Sequence, residues 1–179
     1  MTEVVDLREV QLKKAVQRGY RNWISQFDED FGSTTLVSDI SDKTLFFLAQ
    51  GNENAGFFLF DLIMNLKGLG SGFEFHDLHP NEKLAAMDRY LFLLDRIRFE
   101  YMKRLGWLES YPGEEFTLVD LVIKFDQIAP SVQATTPELS HSHPVYQIFC
   151  KMTALEKEEY IRKLIPKALL ETQNHSTTL

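Results

Sequence analysis

Between Ala55 and Leu66 the chain is apolar almost all the way round a helix, with Phe57, Phe58, Leu59, Phe60, Leu62, Ile63, Met64 and Leu66 interrupted only by Asp61 and Asn65. With Asn54, these two make a single polar seam. A helix of that kind belongs in the centre of a protein. The pattern predicts a buried, Phe-rich helix over 53–66, with Asn52 and Gly51 before it and the Gly68, Gly70, Gly72 run after it as breakers.

Other segments read as helices gathered about this one. Leu12, Val16, Tyr20, Trp23 and Phe27 mark one face of a first helix spanning about 4–30. The acidic run Asp28-Glu29-Asp30 has the wrong sign for a helix C-terminus and predicts the end. Ser41 offers a cap for a short helix over 42–50. The longest helix is predicted over 80–105. Pro80 suits its first position, Glu82 sits at capping distance from His79, and Gly106 stops it. Its apolar series is Leu84, Met87, Leu91, Leu94, Ile97, Tyr101 and Leu105, with Arg96, Glu100 and Arg104 pairing on the wet side. Thr117 and Asp120 open a helix whose face is Leu118, Leu121, Val122, Phe125 and Ile128. A strand over 116–125 is the alternative, but its polar residues do not alternate. Residues 129–142, with Pro130 and Pro137, form the longest irregular link. A short helix from Pro144 to about Met152 follows, then a last helix opened by the capping box Thr153–Glu156, with Pro166 as a kink or stop. The expectation is an all-α bundle of six or seven helices, one domain over 1–172 and a frayed polar tail over 173–179.

Composition narrows the classes. The 179 residues carry 44% apolar and 25% charged side chains, the profile of a globular protein. A net charge of −7 disfavours nonspecific nucleic-acid binding. The lone Cys150 makes no internal disulfide, so a reducing cytoplasm is the simplest setting. Met1 to Asp6 lacks a basic region followed by an apolar run, so no signal peptide is read there. No apolar run approaches the roughly 20 residues of a membrane span.

Candidate chemistry is sparse. His76, Asp77, His79 and Glu82 form a loose donor cluster, and His141 and His143 are a second donor pair in another loop. If the two loops met at one end of the bundle they would hold a divalent transition metal such as zinc. The competing reading makes His79 a helix cap and the others solvated loop residues. Gly68, Gly70 and Gly72 follow a helix rather than a strand and lack a Lys-Ser or Lys-Thr, which excludes a phosphate loop. Asp61 among phenylalanines is the one catalytic candidate, since burial raises a carboxyl pKa. Its structural alternative is a wet seam with Asn54 and Asn65, or a pair with a cation of the long helix. Cys150 reads as a buried, inert thiol. The cations of the first helix read as a solvated face. Phe46, Phe47, Phe57, Phe58 and Phe60 are candidates to line a pocket for a small apolar ligand.

No cofactor is implied unless the histidines converge. The preferred expectation is a non-enzymatic module that docks another protein or a second copy of itself. A metal-dependent enzyme and an apolar-ligand binder are the alternatives.

Overall fold

The computed structural model describes the backbone of residues 6–176 and the side chains of residues 6–171. The chain is all-α, as the periodicity implies. Among the described residues it forms α1 (Leu7–Phe27), α2 (Asp42–Ala49), α3 (Glu53–Leu66), α4 (Pro80–Arg104), α5 (Leu118–Ile123), α6 (Phe125–Gln133), α7 (Tyr146–Phe149) and α8 (Ala154–Ser176). Short 3-10 turns at Val37–Asp39 and Gly72–Asp77 connect them. Part of the expected polar tail thus belongs to α8, and residues 1–5 and 177–179 lie outside the described residues.

Helix boundaries follow the capping chemistry. Asn52 Oδ1 accepts from Ala55 N at 2.9 Å and opens α3, and Thr117 Oγ1 accepts from Asp120 N at 3.1 Å to open α5. At α8 the capping box is reciprocal: Thr153 N donates to Glu156 Oε2 at 2.7 Å and Glu156 N to Thr153 Oγ1 at 3.3 Å. α3 closes through Gly68 N to Asn65 O and Leu69 N to Met64 O, and α4 through the equivalent pair at Gly106 and Trp107. α1 instead ends on Asp28 at φ 53°, a left-handed cap without glycine.

Local expectations are corrected at four places. The helix that begins at Leu118 breaks at Lys124 (φ −99°, ψ 21°) and resumes as α6, which runs through Pro130 to Gln133. The bond that Pro130 gives up would go to Asp126 O, in the exposed first turn of α6, so the helix tolerates it. The helix expected over 144–152 shrinks to one turn. An unanticipated two-stranded ribbon pairs β1 (Leu108–Ser110) with β2 (Glu138–Leu139), antiparallel, setting Leu108 opposite Leu139. Both leucines are buried, and Ser140 N reaches Trp107 O at 2.9 Å. α8 continues through Pro166, held by the buried Ile161, Leu164, Ile165 and Ala168 on either side of it.

α3 does occupy the centre, but its phenylalanine side is not its deepest. Leu59, Leu62, Ile63, Met64 and Leu66 are buried, while Phe57, Phe58 and Phe60 are partly exposed. α1 lies on α3 at close range. A Cβ on Gly19 would sit 2.9 Å from Asn65 Cβ, so only glycine allows the two backbones this near.

The largest departure is the rotation of α4. Arg89, Arg96 and Glu100 are buried, while Leu84, Met87 and Leu91 are 63%, 40% and 53% exposed. Only the later part of the expected apolar series, Leu94, Ile97 and Tyr101, turns inward. The buried charges are met by other segments. Arg89 donates to Val122 O and Ala85 O, both at 3.1 Å, and lies 4.8 Å from the centre of the Phe125 ring. Arg96 donates to Pro112 O. Glu100 accepts from Tyr111 Oη at 2.7 Å and Arg104 Nε at 3.1 Å, and Arg104 continues to Asp42 at 2.8 Å. Burial and the neighbouring Glu100 push the Tyr111 hydroxyl well above its usual range, keeping it a donor.

Two stability measurements follow. Asp28→Gly removes both the left-handed penalty and an anion from the C-terminus of α1, so the urea midpoint rises by the equivalent of roughly 0.5–1 kcal/mol. Tyr111→Phe strips a buried carboxylate of one donor and lowers stability by about 1.5–3 kcal/mol in the same assay.

Candidate interaction surface

Asp61 organises one side of the molecule. Its carboxylate, 6% exposed, accepts from Asn22 Nδ2 at 3.0 Å and from the Gly72 amide at 2.9 Å. Asn65 extends the seam: Arg18 Nε donates to its Oδ1, and its Nδ2 donates to the Asp61 carbonyl, both at 2.8 Å. Asn54 is exposed and not part of the buried seam. The partners come from α1 and the glycine loop rather than from a cation of α4. Each oxygen of the carboxylate has a donor, which satisfies a buried anion structurally.

The Gly72 bond pins the start of the 3-10 turn against α3. A Cβ at Gly72 would lie 3.0 Å from Phe57 Cε2, 3.1 Å from Asp61 Cβ and 3.2 Å from Phe57 O. The turn then sets its two phenylalanines on the half-exposed rings of α3. Phe73 meets Phe57 and Phe75 meets Phe60, each with centroids 4.7 Å apart. Phe60 also stacks on Tyr90 of α4 at 4.4 Å and 15°. Phe73 remains 83% exposed. Leu84, Met87 and Leu91 of α4 are uncovered as well. Apolar side chains are thus left uncovered on α3, the 72–77 turn and the first half of α4. Patches of exposed apolar side chains mark sites of association.

The histidines divide between the two ends of α4. His79 is its N-cap, with its amide on Glu82 Oε2 at 3.2 Å, and the exposed His76 stands edge-on to Phe75 at 5.6 Å. Asp77 is exposed nearby. His141 lies 3.6 Å from Glu109 and 4.7 Å from the Tyr146 ring, next to the ribbon that follows α4. His143 accepts from Val145 N at 3.2 Å and faces Tyr160, and partial burial lowers its pKa. α4 has 25 residues and is therefore roughly 37 Å long, so the two pairs do not meet. No three His, Cys, Asp or Glu side chains converge among the described residues.

The five candidate pocket phenylalanines fall into three separate groups. Phe46 packs on Tyr101 at 5.6 Å, while Phe47, Phe57 and Phe58 form a chain with Phe27, and Phe60 belongs to the Tyr90 stack. Each packs on a neighbouring ring, and the space beside Phe27 and Phe58 is about 10 Å³. Cys150, expected to be buried, is exposed. Of the cations of α1, Lys13 pairs with Glu9 at 2.9 Å, while Arg8, Lys14 and Arg18 flank an open groove with Lys67.

No protein-family model, curated protein or solved structure matches this chain. No helix of the described residues is long and apolar enough to cross a membrane.

Gly72→Ala tests how the face is built. The added methyl overpacks the contact between the turn and α3 and costs about 1–3 kcal/mol. The fluorescence and near-UV circular dichroism of the aromatic row change with it.

Proposed function

We propose that this chain is a single-domain, non-enzymatic helical module that docks another protein through the apolar face of α3, the 72–77 turn and α4. The observation that carries this reading is the uncovered stripe Leu84, Met87 and Leu91, together with the exposed Phe73 and the half-exposed Phe75–Phe60–Tyr90 row on the neighbouring elements. Interface cores are rich in aromatic residues and methionine and poor in charge, with polar residues at the rim.

Charge chooses between a foreign partner and a second copy. The stretch 73–91 carries Glu74, Asp77, Glu82 and Asp88 against Lys83 and the buried Arg89. Two such faces brought together would set like charges against each other, which costs affinity and slows encounter. A partner with an apolar centre and a basic rim fits better. The lone cysteine fits a reducing, cytoplasmic setting for this partnership.

The test places a photo-crosslinking amino acid at Leu91, at Phe73, or at the exposed control Ser33, in the organism that makes the protein. Leu91 and Phe73 each give one dominant adduct with the same second protein, Ser33 does not, and adding Leu84→Asp abolishes it. An adduct of twice the chain's mass would replace the foreign partner by a second copy. The absence of any adduct above the Ser33 control would end the reading.

A further inference from the structure

A second feature of α4 stands apart from this face. Arg96 projects from the opposite side of the helix and is 4% exposed. Its guanidinium lies between the Phe92 and Phe99 rings, 5.1 Å and 4.9 Å from their centres. One nitrogen, Nη1, donates to Pro112 O, while Nε has no acceptor among the described residues. The neighbouring carboxylates are engaged elsewhere. Asp95 takes Arg162 through two bonds of 2.7 Å, and Glu100 takes Tyr111 and Arg104. Among the described residues Arg96 is therefore a buried cation with no ion-pair partner of its own, an arrangement that costs free energy. Burial draws its pKa down to about 10, as expected for a desolvated cation short of negative charge.

This side chain forms part of the wall of a cleft of about 140 Å³ between α4, α8 and the segment following α6. Phe99, Ile161 and Pro137 make its apolar part, Thr136 lies on the same wall as Pro137, and Arg162 adds a second guanidinium. We propose that this cleft binds a small monocarboxylate, whose oxygens meet the Arg96 guanidinium while its hydrocarbon end packs on Phe99, Ile161 and Pro137.

Three features select that class. A guanidinium edge matches a carboxylate in shape and charge. The volume is close to that of a cavity that admits benzene, so a ligand of roughly six non-hydrogen atoms fits. Asp95 and Glu158 also line the cleft, which disfavours a phosphate dianion more than a single negative charge. The site does not depend on the protein-docking reading and stands whether or not that reading does.

The probe is sodium butyrate, titrated into the full 179-residue chain at constant ionic strength against sodium chloride. Nitrogen-15 NMR follows the Arg96 Nε–H signal and the amides of Gln133, Thr135 and Thr136. Thermal unfolding is recorded in parallel, because a ligand of the native state must raise the melting temperature. Butyrate shifts these signals along a saturating curve and raises the melting temperature above the chloride control. Butanol and butylammonium, of similar size, do neither. Arg96→Met risks misfolding because Arg96 also holds the Pro112 turn, so Thr136→Trp is the working variant. It adds bulk to the lining of the cleft, leaves Arg96 in place and abolishes the saturable shift. A linear response to butyrate, an equal response to butanol or chloride, or an unaltered response in a folded Thr136→Trp protein would overturn the assignment.

Discussion

The burial of Arg89, Arg96 and Glu100 sets the orientation of the longest helix, and the rest of the architecture accommodates it. Charged side chains taken out of water must find hydrogen-bonding partners at once. Here they find Val122 O, Ala85 O, Pro112 O and Tyr111 Oη, supplied mostly by the chain that follows α4. Turning α4 about its axis to bury Leu84 and Leu91 would strand all three. The polar contacts are poor evidence of added stability, but they define one rotation among those the apolar residues alone would permit. Both surface features of interest result from that choice. The aliphatic stripe is left outside, and Arg96 is left buried beside a cleft.

Much of the architecture was legible from local chemistry. The bounds of α3 matched the residues expected, because Asn52 caps it and Gly68 closes it. The starts of α2, α5 and α8 were written in Ser41, Thr117 and Thr153. The rotation of α4 was not legible, because its sequence offers two apolar stripes. Leu84, Met87 and Leu91 compete with Phe92 and Phe99, and periodicity cannot rank them. What decides is the carbonyls of Pro112 and Val122, groups that carry no side-chain signature and lie 16 and 33 residues from their donors. The β1–β2 ribbon was hidden for a similar reason, since two or three residues show no alternation. Pro130 was misleading because a proline costs little when the carbonyl it fails to reach lies in the exposed first turn of the helix.

The candidate sites were legible in type more than in place. Asp61 was singled out as an acid among phenylalanines, and it is buried, yet its partners come from α1 and the Gly72 amide. The polar seam works as a fastening between three elements, and through Gly72 it presents Phe73 and Phe75. The histidines share composition but not location, since one pair begins α4 and the other lies beyond its end. The phenylalanines suggested a lined space, and they instead pack in separate groups on neighbouring rings and extend to the surface. No sequence signal distinguished Arg96 from the wet charges of its neighbours, although its place between Phe92 and Phe99 at helical spacing was the available hint.

The contact at Gly19 has a further consequence for α1. Helices that slide past one another do so by about one turn, exchanging one residue for another four positions along. For α1 those replacements are Ala15 and Trp23. Even alanine would put a methyl carbon 2.9 Å from Asn65 Cβ, and tryptophan is far larger. α1 is therefore keyed to a single register, a notch that blocks ratcheting and leaves full undocking as its only large displacement.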